Sequence, residues 1–292
     1  MILQRRWLNA AATLAGVCLL VAGCQPQPQT QAEPEIVWHR HKDKLVSELR
    51  AMLEANWSLR GLAPEIHTLN IFDFDHTLID NRTQVPVVND TGLTRTIDSK
   101  CLNHAINEKP DYSIFDRENT YAYQPISATL DRLRLYSKDA QQASVVLTAR
   151  SGRRTFSMIQ EYLWQKGAEP HAVIAANYPR FQHELWQNMT IPDGAKKPLI
   201  IAALISLRVQ NGRPVKLVRY FEDTDKYLAG AMVLLPKLYP QVRFEFYDYI
   251  REKGGGYREV FVAYATGGRL YRPDGQVFTG EDRYNSGDCP PR

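Results

Sequence analysis

A short apolar run, Leu69 to Phe72, ends in Asp73-Phe74-Asp75-His76-Thr77. This sequence constrains the chain more than any other. Residues i and i+2 of an extended strand point the same way. Asp73 and Asp75 therefore leave one strand end facing the same space. Two carboxylates that close repel each other. Either one ionises while the other keeps its proton, or a divalent cation holds both. A buried strand with such an end fits a parallel sheet, in which ligands bind beyond the carboxyl ends of the strands.

The rest of the pattern agrees. Val37, Leu45, Leu49, Met52 and Leu53 recur near helical spacing and predict a helix over 36–59. Ile126 to Tyr136 reads as a helix. Ala143 to Thr148 reads as a buried strand, and a turn at Ala149 to Gly152 opens a helix to about Gly167. A strand over His171 to Ala176, a helix from Pro198, a strand over Val215 to Phe221 and a helix over Thr224 to Leu238 follow. Val242 to Tyr247 and Glu259 to Ala265 complete the strands. The expected fold is α/β: a Rossmann-like parallel sheet with helices on both faces. Residues Asn81 to Ser113 lack clear periodicity and are rich in Asn, Thr, Asp and Pro. They predict an insertion of loops or a short helix, spanning about 81–122 and able to cap the site.

Polar residues stand just beyond three apolar strands: Asp73 and Asp75, then Thr148, then Glu222 and Asp223. Lys196 and Lys197 precede the third strand. Pro198 places Lys197 at a helix cap and so favours Lys196 as the lysine that reaches the site. Phosphoryl transfer needs such parts: an in-line nucleophile, a proton for the leaving oxygen, and positive charge on the equatorial oxygens. Asp73 suits the nucleophile and Asp75 the acid and base. Asp73 and Asp223 suit Mg²⁺, a hard cation that takes oxygen ligands. Thr148 is placed to donate to phosphate oxygen, and Lys196 or Lys197 to neutralise charge.

With these residues in this order, the chain resembles the haloacid dehalogenase-like superfamily over about Thr68 to Leu238. Its first signature is an apolar strand followed by Asp-x-Asp-x-Thr, here Asp73, Asp75 and Thr77. The second is a Ser or Thr ending a strand, here Thr148 in Leu147-Thr148-Ala149-Arg150. A lysine and an acidic pair complete the set. The resemblance implies a phospho-aspartate on Asp73, acid and base work by Asp75, and Mg²⁺ on Asp73, Asp223 and the Asp75 carbonyl. Thr77 and Arg150 are expected near the substrate. The Glu222-Asp223 pair and Leu147-Thr148-Ala149-Arg150 also resemble, faintly, the Swiss Army Knife RNA repair-like subgroup. The dehalogenase branch lacks the second aspartate and is not expected.

The first residues form a separate unit. Arg5 and Arg6 precede an apolar stretch, Leu8 to Ala22, too short for a comfortable membrane span. It ends in Leu20-Val21-Ala22-Gly23-Cys24, which resembles the lipobox of bacterial lipoproteins. That likeness implies a signal peptide over 1–23, a lipid on Cys24, and a periplasm-facing anchor. Gln25 rather than aspartate after the cysteine favours the outer membrane over the inner one. The proline- and glutamine-rich stretch at 24–35 reads as a tether, leaving 36–292 as one domain. Cys101 and Cys289 remain as an even pair in an oxidising compartment.

Other functions lack a basis. The net charge of +4 is too weak to argue for nucleic acid by itself. No Cys/His cluster has zinc spacing. Gly254-Gly255-Gly256 lacks the lysine and hydroxyl of a P-loop and reads as a hairpin turn. The expected reading is an envelope phosphomonoester hydrolase acting on a small substrate. Two alternatives stand beside it. One is a nucleic-acid end phosphatase, favoured by a basic groove at Arg150, Arg153 and Arg154. The other is a binding scaffold without catalysis.

Overall fold

The computed structural model describes residues 42–56, 66–104, 108–116, 123–151, 154–189, 191–210, 212–253 and 255–278. The expected leader at 1–23, Cys24 and the tether at 24–35 lie outside them. Among the described residues no helix is long and apolar enough to cross a membrane.

Helix α1 is Lys42–Asn56. Strand β1, Thr68–Phe72, leads into the acidic sequence. Strands β2, Ile79–Asp80, and β6, Gln124–Pro125, pair with each other. Between them lie β3, Gln84–Asn89, β4, Thr94–Asp98, and β5, Glu108–Pro110. Helix α2, Ser127–Lys138, strand β7, Gln142–Thr148, helix α3, Thr155–Gln165, and strand β8, Ala172–Ala175, follow. Then come α4, Asp193–Gln210, β9, Leu217–Glu222, α5, Asp225–Leu238, β10, Arg243–Arg251, β11, Tyr257–Thr266, and β12, Arg269–Tyr271.

The main sheet has the order β12-β11-β10-β9-β1-β7-β8. The five strands from β10 to β8 are parallel, and β11 and β12 add an antiparallel edge. From β1 the chain steps outward to β7 and β8, then returns to β9 on the other side. That reversal opens a crevice beyond the carboxyl end of β1. The backbone N–H of Asp73 donates to the Phe221 carbonyl at 2.8 Å, so the ends of β1 and β9 stay in step.

The apolar pattern explains the layering. Strands β1, β7, β8 and β9 are buried along almost their whole length, as strands covered on both faces must be. One face carries a core in which Phe72, Val146 and Phe221 meet Leu130 and Leu133 of α2 and Ile159, Tyr162 and Leu163 of α3. Phe72, Phe221 and Tyr247 stack across three strands, with centroids 4.5 and 4.7 Å apart. Helix α5 packs against β9 to β12, and α4 packs between α5 and α1.

Two sequence expectations need correction here. The stretch expected to hold loops or a short helix forms a three-stranded antiparallel sheet, β4-β3-β5, with 3₁₀ turns at Ser99–His104 and Tyr112–Asp116. Val85 and Val87 alternate inward; Pro86 between them and the polar β4 hid the period. Helix α4 begins at Asp193, five residues before Pro198, which lies inside it. Proline removes the hydrogen bond to the carbonyl four residues back, here Gly194. That carbonyl faces α5: a Cβ on Gly230 would lie 2.2 Å from the Gly194 oxygen. The chain does turn between β10 and β11, with positive φ at Gly255 and Gly256; Gly254 lies outside the described residues.

The α4–α5 crossing therefore tolerates no side chain at Gly230. Gly230→Ala is expected to lower unfolding stability in urea by about 2 kcal/mol, since backbone rather than a flexible side chain must yield. An unchanged midpoint would show that the crossing is looser than described.

Candidate active site

A cavity of about 440 Å³ opens at the crevice. Asp73 and Asp75 enter it from beyond β1, Arg150 and Ser151 from beyond β7, and Asn177 from beyond β8. Asp193, Lys196 and Lys197 enter from the first turns of α4, and Asp223 and Thr224 from beyond β9. The insertion contributes Ser99, Lys100 and Phe115.

Lys197 organises this group. Its Nζ lies 2.6 Å from Asp73 Oδ1 and 2.7 Å from Glu222 Oε2, and it is 1 % exposed. The Tyr227 ring lies 4.6 Å from the ammonium. Burial pushes the Lys197 pKa down, but Asp73 and Glu222 outweigh it and hold the group firmly protonated. Lys196 behaves differently. Its Nζ binds Asp193 at 2.7 Å and the Asn177 side chain at 3.3 Å. The preference for Lys196 drawn from Pro198 is therefore corrected. Because α4 starts at Asp193, Lys197 sits within the helix and faces the strand ends.

The carboxylates divide by partner. Glu222 is fully buried; Oε2 accepts from Lys197 and the Tyr220 hydroxyl, and Oε1 accepts from the Thr224 N–H at 3.2 Å. Asp73 pairs with Lys197 through one oxygen. Burial raises its pKa well above the usual carboxylate value; Lys197 opposes this, and Glu222, Asp223 and Asp75 add to it. Asp75 takes two hydrogen bonds from Arg150, at 2.6 and 2.9 Å, and one from Asn81 at 2.7 Å. Burial pushes the Asp75 pKa up, but Arg150 outweighs it, and the net shift is downward. Asp223 is lowered as well: burial opposes ionisation, and Lys100 and His76 overcome it.

Oxygens of Asp73, Glu222 and Asp223 lie within 4.8 Å of one another. Such an all-oxygen set fits a hard divalent cation such as Mg²⁺. Asp73 and Asp223 line the cavity and Glu222 lies behind them, so Asp73 and Asp223 are the better donors. Lys100 nonetheless holds Asp223 Oδ2, and Thr224 Oγ1 lies 3.4 Å from its Oδ1.

Other expectations fare unevenly. Arg150, expected near the substrate, does line the cavity. It is 7 % exposed and lies 5.0 to 5.4 Å from the rings of Phe74, Phe115 and Tyr123. Thr148 is fully buried, and its hydroxyl oxygen accepts from the Arg150 N–H at 3.2 Å. It lies beneath the cavity wall rather than in it. Thr77 is also fully buried, away from the cavity, and its Oγ1 has no hydrogen-bond partner among the described residues. His76, which strand alternation would turn away from Asp75, lines the cavity. The strand ends at Phe72 and His76 adopts φ 61°, so strand alternation does not extend that far. Cys101 is disulfide-bonded; Cys18, Cys24 and Cys289 lie outside the described residues.

The sequence reading missed Lys100, Asn81 and Asn177. Asn177 follows an apolar strand and obeys the same rule that marked Asp73. Lys100 comes from the insertion, where no period marks it.

Comparison with protein-family models, with curated proteins and with solved structures returned no match to this chain.

The Arg150–Asp75 pair carries a pH signature. Asp75 has a lowered folded pKa, so its contribution is complete above its unfolded value of about 3.9 and fades as pH falls through the folded one. Arg150→Met is expected to cost about 2 kcal/mol at pH 7, with the gap to the unsubstituted protein closing as pH falls below about 3.9. A gap independent of pH in urea unfolding would contradict the pairing.

Proposed function

We propose that the protein is a Mg²⁺-dependent phosphomonoester hydrolase of the haloacid dehalogenase-like type, working through a phospho-aspartate on Asp73. The observation that carries this reading is the Lys197 bridge between Asp73 and Glu222, set beside Asp223 at the ends of two adjacent parallel strands. Acidic groups in this order along the chain meet in one cavity with a buried lysine.

The chain's residues divide the work as follows. Lys197 fixes one oxygen of Asp73, which leaves Oδ2 for attack on phosphorus. A bond forms from that oxygen to phosphorus as the bond to the leaving oxygen breaks. Asp73 and Asp223, with the Asp75 carbonyl as the family resemblance implies, would hold Mg²⁺, which when bound would supply positive charge for the phosphoryl group. Asp75, held ionised by Arg150 and Asn81, is set to take a proton from the water that hydrolyses the phospho-aspartate. Protonating a leaving group requires that Asp75 first gain a proton against Arg150. Aryl phosphates, whose leaving groups need little protonation, are thus the natural first substrates.

A cavity of about 440 Å³, walled on one side by Lys100 and Phe115 of the insertion, supports a small phosphomonoester. Arg150 is engaged with Asp75 and buried, and Arg153 lies outside the described residues. The proposed basic groove for a nucleic-acid end thus loses one of its three members. The lipobox-like sequence at Cys24 supports export and lipid anchoring at the periplasmic side of the outer membrane. Phosphate scavenging suits that setting.

Hydrolysis of p-nitrophenyl phosphate should require Mg²⁺ and should fall by about 10³-fold or more in Asp73→Asn. Retained turnover in that variant would overturn the assigned nucleophile. No turnover of this substrate, of nucleotides, of sugar phosphates or of 3′-phosphorylated oligonucleotides would favour the binding scaffold.

The two lysines give an independent check. Lys197→Met should lose about 10²-fold or more in kcat, and Lys196→Met less than about tenfold. Equal losses would contradict the division described.

A further inference from the structure

Lys196, Lys197, Lys226 and Arg150, which line the cavity, belong to the main domain. Lys100 is carried by the insertion on the 3₁₀ turn Ser99–His104. Its Nζ lies 2.9 Å from Asp223 Oδ2, 2.9 Å from the Asp223 carbonyl and 3.2 Å from the Tyr249 carbonyl. Both side chains of the ion pair are 4 % exposed. The base of the turn is fixed by neighbours. Asp98 accepts from the Lys100 N–H at 2.9 Å and from Arg251 at 2.9 Å. Ser99 Oγ lies 2.9 Å from His76 Nε2 and 3.0 Å from the Asn81 carbonyl. The lysine is therefore aimed at Asp223 by a built support and does not reach it by chance.

Asp223 is also one of the two donors assigned to the divalent cation. An ammonium ion on one oxygen of a carboxylate repels a divalent ion on the other, and low-dielectric surroundings strengthen the repulsion. The oxygens around Lys100 are the kind that either cation accepts. We infer that Lys100 is an internal counter-cation of this site, which competes with the divalent ion for Asp223 and so couples metal binding to docking of the insertion. The inference rests on the metal reading above. By linkage, whatever docked Lys100 costs the metal in affinity, bound metal costs Lys100 in docking. The segment that helps wall the cavity is then held most tightly in metal-free protein and is loosened in the metal-loaded protein that acts on substrate.

The test is Mg²⁺ titration of the intact protein by isothermal calorimetry at fixed ionic strength, which needs no turnover. Lys100→Met, which removes the charge and keeps most of the volume, should bind Mg²⁺ about tenfold tighter than the unsubstituted protein. Lys100→Arg, which keeps the charge, should stay within about threefold of it. Unchanged or weaker binding in Lys100→Met would overturn the competition while leaving the metal site standing. No binding in either protein would overturn the metal site and the competition together. Should Lys100→Met fail to fold, hydrogen exchange of the unsubstituted protein decides. Mg²⁺ should speed exchange across residues 94–104, and unaltered exchange there would overturn the inference.

Discussion

One buried ammonium ion holds the site together. Lys197 is almost without solvent, and it satisfies carboxylates from two different strand ends. Neither carboxylate could stay ionised there alone, because taking a charge out of water costs several kcal/mol. The lysine in turn requires that the first turns of α4 lie over the carboxyl ends of β1 and β9. The Gly194–Gly230 approach lets α4 and α5 close to that position. The bond that ties Asp73 to Phe221 keeps the two strands in step. Helix packing, strand register and the orientation of Asp73 are thus parts of one requirement.

The charges around this ion are balanced locally rather than on average. Asp75 is settled by Arg150 and Asp223 by Lys100. Asp73 and Glu222 share one lysine, and both are held up: burial, with Asp223 adding to it, outweighs Lys197 at each. A site in which two buried carboxylates share one lysine gains from one more positive charge. That is the physical sense of placing a divalent cation between Asp73 and Asp223. It also explains why an insertion lysine on Asp223 matters, since two cations then meet at one carboxylate.

The sequence made the main domain readable because its signals are local and repeated. Apolar strands, buried on both faces, stand out from the helices between them. The rule that ligand groups follow such strands singled out Asp73, Asp75 and Asp223. The rule also marked Thr148, which the structure buries beneath Arg150 instead. It failed beyond Phe72, where His76 leaves the extended conformation and turns into the cavity. Pro198 misled the choice of lysine, because a proline was read as a helix start and α4 absorbs it one turn in. The insertion was the least legible part. Its sheet buries little, its strands are short and polar, and Lys100 acts at a distance of 123 residues along the chain.

The central claim is that Asp73 carries the phosphoryl group between the two halves of the reaction. The direct measurement is acid quenching during turnover of a ³²P-labelled phosphomonoester, followed by peptide mapping. The account predicts label on the peptide containing Asp73, lost on treatment with neutral hydroxylamine and absent from Asp73→Asn. Turnover with no label on that peptide, or label on another residue, would contradict it.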